Sequence, residues 1–227
     1  MIMLSNCTDD NNDPNNGNDE SDVVFNPSIT YETVSDISGN TYKTVTIGTQ
    51  TWMAENLKVT KYNDGSAIPN VANDVEWANL TTGAYRNYND KDSTVATYGR
   101  LYNWYAINTG KLAPIGWHVA TDAEWTTLVT YLGGQGVAGS KLKETGTTHW
   151  TFNDATNESG FTALPGGSHR GSFEGIGEIG YWWSATKTSE TAVSTAYYSY
   201  MNTRFSKQIG RSILGCVDGL SVRCVKD

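Results

Sequence analysis

Gly175-Ile-Gly-Glu-Ile-Gly180 spells the GxGxxG pattern, which between a strand and a helix lets backbone N–H groups approach a pyrophosphate. Here it follows a Gly/Ser/His stretch and precedes the strand-like Tyr181-Trp-Trp-Ser184. No helix start faces a phosphate, and the pattern reads as a flexible loop. Asp90-Lys-Asp92-Ser-Thr94 opens like a calcium loop, whose sixth residue must be Gly and whose twelfth must be a bidentate Glu. Val95 and Leu101 stand at those positions, so the cation site fails. The histidines, His118, His149 and His169, lack metal-ligand spacing of the HExxH type, and no metal or cofactor is expected. His118, between Trp117 and Val119, reads as a structural histidine. His169-Arg170 falls in a Gly-rich stretch and is expected at the surface, where it can meet an anionic or hydroxylated ligand. No nucleophile elbow is present.

The aromatic residues offer a second chemistry. Trp (8) and Tyr (13) far outnumber Phe (5), and both combine a flat apolar face with a polar tip, which suits sugar rings. Trp117, Trp125, Tyr98, Tyr102 and Tyr105 lie on faces expected to be buried. Trp150, in the loop from Thr147, and Tyr181, at the end of the Gly-rich stretch, are expected to be exposed. With His169 and Arg170 they form the candidate binding residues, and the expected partner is an extracellular ligand such as a carbohydrate.

The N-terminus supplies a location. Met1-Ile-Met-Leu-Ser-Asn-Cys7 looks like the end of a bacterial lipoprotein signal, with Cys7 as the lipidated residue. Its apolar part is shorter than the about 7 to 15 residues of a full signal, so further residues are expected upstream. Residues 9–22 hold six acids, five Asn and no base, which makes them a solvated tether with nothing to bury. Acids directly after the cysteine also resemble surface-export signals of Bacteroidetes lipoproteins. The expected division is therefore a signal remnant, lipidation site and tether over 1–22, and one domain over 23–227. The formal charge of −8 argues against nucleic acid. Contact with a membrane is expected through the lipid alone, at the outer-membrane surface.

These residues need a scaffold to hold them. Tyr42 to Ile47 and Gln50 to Met53, joined by Gly48-Thr49, predict a β-hairpin. Residues 63–97 show no sustained period and predict long loops. Tyr98, Leu101, Tyr102 and Tyr105 fall at i, i+3, i+4 and i+7, which predicts a helix. A second is predicted from Thr121: Thr121-Asp-Ala-Glu124 is a capping box, Trp125, Leu128, Val129 and Leu132 form the apolar stripe, and Gly133-Gly134 ends it. Segments 182–186, 195–201 and 220–225 are strand-like. Hairpin, helices, then strands is an α+β order.

Ten short blocks follow one another in order: Gly39-Asn-x-Tyr42, Ile47-Gly-x-Gln-x-Trp-Met-Ala-Glu-Asn-Leu57, Tyr98-Gly-x-Leu-Tyr-Asn-Trp104, Pro114-x-Gly-Trp-His-Val119, Thr121-Asp-x-Glu-Trp125, Lys141-Leu-Lys143, Glu158-Ser-Gly-Phe161, Leu164-Pro-Gly-Gly167, Trp182-Trp-Ser184 and Ser221-Val-Arg-Cys224. Together they resemble the Fibrobacter succinogenes major paralogous domain family over about residues 36–227. The resemblance implies a C-type-lectin-like domain, with two main helices packed on small antiparallel sheets, related in fold to formylglycine-generating enzymes. It implies no biochemical activity. Three readings follow: a non-catalytic surface binding lipoprotein, which we favour; a structural surface or adhesion protein; and a copper oxidase of the formylglycine-generating type. The Glu-Pro-Asn type of triplet that many C-type lectins use at calcium is absent. Family members commonly carry Cys where this chain has Ala113, so Cys224 has Cys216 as its one partner within the domain. Either these two form a disulfide, which needs a loop wider than a two-residue turn, or they remain thiols on adjacent strands. The oxidase would need both as exposed thiolates for Cu(I).

Overall fold

The computed structural model describes residues 22–189 and 194–227. Cys7 and the expected tether up to residue 21 lie outside them. Strands β1 (Glu32–Ser35), β2 (Thr41–Ile47) and β3 (Gln50–Met53) open the domain, followed by α1 (Asp74–Ala78) and β4 (Tyr85–Arg86). Next come α2 (Val95–Tyr98), β5 (Leu101–Tyr102), α3 (Trp104–Ile107), β6 (Trp117–Val119), α4 (Asp122–Tyr131) and α5 (Ala138–Leu142). The remainder is strand: β7 (Gly166–His169), β8 (Phe173–Ile176), β9 (Ile179–Lys187), β10 (Thr195–Asn202), β11 (Gly210–Gly215) and β12 (Cys224–Lys226). The architecture is mixed α+β and loop-rich.

One five-stranded sheet runs β1-β2-β3-β12-β6 and a second runs β11-β10-β9-β7-β8. The period of two along each strand sends alternate side chains to opposite faces, and in β2, β3 and β9 both faces carry buried residues. β2 places Tyr42 in one core and Val45 and Ile47 in another; β3 divides Met53 from Trp52 in the same way. In β9, Trp183 joins the first core and its neighbour Trp182 the second. Adjacent large aromatics are thus the mark of a strand buried on both sides.

The C-terminal segment stitches the two sheets together. Leu220 exchanges backbone hydrogen bonds with Tyr102, and Ser221 bridges Tyr181 and Trp183 of β9. Three residues later β12 lies between β3 and β6 of the other sheet. Arg223 sits in this seam, fully buried and with no carboxylate partner among the described residues. Its Nε donates to Asn56 Oδ1 at 2.7 Å, and its other nitrogens donate to the carbonyls of Met53, Phe161 and Thr162 at 2.9–3.0 Å. Asn56 Oδ1 also accepts from the Trp182 indole at 2.8 Å. Burial pulls the guanidinium down to about 9, which still leaves it charged at neutral pH.

The hairpin at Gly48-Thr49 forms as expected, with Ile47 opposite Gln50 and Gly48 at φ +63°. The α4 capping box is complete: Glu124 N–H donates to Thr121 Oγ1 and Thr121 N–H donates to Glu124 Oε2. The predicted helix over Tyr98–Tyr105 is a correction. Gly99 stops α2 at φ +74°, where a Cβ would lie 2.8 Å from both Asn56 Cβ and the Leu57 carbonyl oxygen. The chain then extends as β5, and Asn103 caps α3 by accepting from Ala106 N–H. Of the two expected main helices only α4 forms; the other described helices have four or five residues. Residues 63–97 are likewise more structured than expected, holding α1 and β4. Tyr98, Tyr105 and Trp117 are half-buried, whereas Tyr102 and Trp125 are in the cores.

Candidate functional site

Three of the four expected surface residues are interior. Trp150 is 0% exposed, donates its indole N–H to the Ala163 carbonyl at 3.0 Å, and carries the Lys143 ammonium over its ring. His169 is 1% and Tyr181 6% exposed; Arg170 alone stays at the surface. For His169 and Tyr181 the reason is the role of glycine in residues 166–180. A Cβ on Gly167, at φ +66°, would lie 2.4 Å from the Glu174 carbonyl oxygen, and one on Gly180 would strike the Trp182 ring. These glycines permit close strand packing. The GxGxxG stretch is accordingly the end of β8, a turn and the start of β9, both paired to β7, rather than a loose loop.

The fold brings Arg170 and Tyr181 together and keeps Trp150 apart, in the other core. The Arg170 guanidinium lies 5.4 Å over the Tyr181 ring and pairs with Glu174. Tyr181, Tyr198 and Tyr200, from β9 and β10, form one aromatic cluster with centroids 5.8–6.4 Å apart. Asp218, which the sequence did not single out, stands near the same charges: burial pushes its carboxyl up to about 6 against the pull of Arg170. Tyr181 and Tyr198 are buried and Tyr200 is half-buried, so what the patch presents is the Arg170 guanidinium, part of Tyr200 and two carboxyl groups. Such a set can both donate and accept hydrogen bonds.

Behind Arg170 lies a buried clamp. Arg86 grips Asp90 through Nε and Nη2 at 3.0 and 2.7 Å, Asp74 at 2.5 Å and the Ala72 carbonyl at 2.7 Å. Its Nη1 lies 2.8 Å from His169 Nε2. Burial and the Arg86 charge push the His169 imidazole down, so it is neutral and accepts from Arg86. Asn89 and Asp90 have φ of 53° and 54°, an uncommon conformation that the clamp holds in place. Arg86 thereby fixes the end of β7, directly before Arg170. Nothing in Tyr85-Arg86-Asn87 distinguishes it from a solvated loop arginine, which is why the sequence does not reveal it.

The remaining histidines are paired. His118 lies between Asp227 and Glu124 at 2.7 and 2.6 Å, consistent with a structural role. His149 is buried between Glu144 (Nδ1, 2.7 Å) and Asp22 (Nε2, 3.0 Å), and Glu144 also accepts from the Val24 N–H. Asp22, the last residue of the expected tether, is thus fastened to the domain. The Glu144 hydrogen bond raises the His149 pKa against the effect of burial. A raised folded pKa means that this contribution to stability is complete below the ordinary histidine value of about 6.5. It disappears as pH rises through the folded value. Thermal melts of wild type and His149→Gln from mildly acidic to mildly alkaline pH should show a loss of stability in the wild type that the variant lacks; parallel curves would refute the assignment.

Cys216 and Cys224 are both free and buried. They are not on adjacent strands: Cys216 follows β11, whereas Cys224 lies in β12 of the other sheet. Burial raises both thiols, which disfavours the thiolates that Cu(I) requires. The pair does not fit a copper centre. Among the described residues no group of three or more His, Cys, Asp or Glu is placed to hold a metal.

Compared with known families, residues 45–226 match the Fibrobacter succinogenes major domain. None of the curated proteins or solved structures compared with the chain matches it.

Proposed function

Since this chain belongs to the Fibrobacter succinogenes major domain family, a membership that carries no activity with it, we propose from its site that it is a non-catalytic binding module of C-type-lectin-like type. A lipid on Cys7 holds it at the outer surface of the cell, and its ligand is a glycan. The observation that carries this reading is the Arg170–Tyr181 patch, where an exposed guanidinium lies on a tyrosine cluster beside Glu174 and Asp218. Convergent charged donors and acceptors beside a partly exposed tyrosine are groups that recognise sugar hydroxyls. The two buried thiols favour this reading over the oxidase.

Two measurements test it. Full-length protein on a glycan array should give a defined set of signals that Arg170→Ala reduces without changing the melting temperature. A blank array, or signals indifferent to Arg170→Ala, would favour a structural surface protein. Cell fractionation should find the wild type with outer membranes and Cys7→Ala released, because anchoring by acyl chains rests on about 0.8 kcal/mol per buried CH₂.

A further inference from the structure

A groove of about 170 Å³ runs between α4 and the edge strand β11. Successive residues of β10 face opposite sides of the sheet, so Ser199, in the groove, points away from Tyr198 and Tyr200 of the Arg170 patch. Ser199, Ile209 and the Trp125 ring line it from within, while Thr126, Thr130 and Gln135 stand exposed along its rim. One end is closed by Arg211, which pairs with both carboxylate oxygens of Asp122 at 2.5 and 2.9 Å and lies 3.9 Å over the Tyr197 ring.

Three features define what fits. Size comes first: at about 30 Å³ per water, the groove holds the equivalent of five or six waters, or one small ring. Charge is next. Asp122 and Arg211 are the two ionised residues lining the groove, and they neutralise each other, which leaves no net charge to attract or repel an ion. The third is hydrogen bonding. Ser199 is 5% exposed, and the indole nitrogen of Trp125, which lines the groove, is buried without a hydrogen-bond partner among the described residues. A buried polar group left unpaired costs free energy, and a ligand hydroxyl would satisfy it. Val129 and Ile209 add an apolar wall, and the rim threonines and Gln135 add further donors and acceptors.

We propose that this groove is a second binding site, separate from the Arg170 patch, that takes a single neutral polyhydroxylated ring of the kind a terminal sugar residue presents. The ring's apolar face lies against Ile209 and Val129. Its hydroxyls meet Ser199 at the floor and the polar groups of the rim.

The test is titration of the full-length protein with a panel of neutral methyl glycosides, followed by nuclear magnetic resonance of backbone and indole N–H groups, with acidic glycosides in parallel. At least one neutral glycoside should shift resonances of α4, β10 and β11. Ser199→Ala should weaken that binding by roughly tenfold, the scale of one hydrogen bond. Thr130→Trp, at an exposed rim position, should plug the groove and abolish binding while the melting temperature stays that of the wild type. Arg170→Ala should leave it unchanged, so this site and the surface patch can fail separately. The proposal is overturned if no neutral glycoside shifts these resonances, if acidic glycosides alone bind, if both groove variants bind normally, or if Arg170→Ala removes the binding.

Discussion

Replacing Arg223 by alanine will destabilise the domain by at least about 3 kcal/mol, because three buried carbonyls lose their donor. The side chain is fully buried, and its loss strands the carbonyls of Met53, Phe161 and Thr162. Each such group left unpaired costs about 1 to 3 kcal/mol. Asn56 Oδ1 keeps the Trp182 indole as a partner, which limits the damage there. Arg223→Lys will recover little, because an ammonium cannot deliver the fork of donors that reaches four acceptors at once. Equilibrium unfolding in urea of wild type, Arg223→Ala and Arg223→Lys measures this. A lysine variant as stable as wild type would show that charge alone, and not the fork, is what the seam needs.

Trp125→Ala will cost a comparable amount, about 3 to 5 kcal/mol, by opening a cavity in the second core. The ring is buried against Trp52, Phe161 and Trp182, with centroids 4.9, 5.7 and 6.3 Å away. Three rigid aromatics cannot collapse into the space as flexible side chains would. The same urea titration gives the difference, and a Trp125→Ala midpoint equal to that of wild type would mean that α4 contributes nothing through this face.

What could be read from the sequence was local. The hairpin around Gly48 and the capped helix from Thr121 announce themselves because turn and cap chemistry act within four residues. The stripe Tyr98–Tyr105 misleads for the same reason: it satisfies a helical period, yet Gly99 and Asn103 each impose a different backbone. Glycine misled again between 166 and 180, where its abundance reflects close strand packing and not freedom. That error places His169 and Tyr181 at the surface when they are interior; reading residues 147–150 as an open loop misplaces Trp150. The ordered blocks of the family signature were legible as a list, but their meeting place was not. Asn56, Phe161, Trp182 and Arg223 come from four of those blocks and converge on one guanidinium. The signature therefore describes chiefly how the domain holds itself together. The candidate ligand surfaces draw on Arg170, Tyr200, Ser199 and Arg211, which lie outside it, together with Asp122 and Trp125 from the Thr121–Trp125 block.

The stitching of the two sheets by residues 220–226 also sets the order of events when the chain is made. β3 and β6 each have β12 as a neighbour, and β5 and β9 bond to Leu220 and Ser221, so four earlier strands await residues 220–226 for part of their pairing. Contacts of such long sequence separation form late. The hairpins β1-β2-β3 and β9-β10-β11 can pair before that, but the two sheets are joined through this segment only once residues 220–226 are in place.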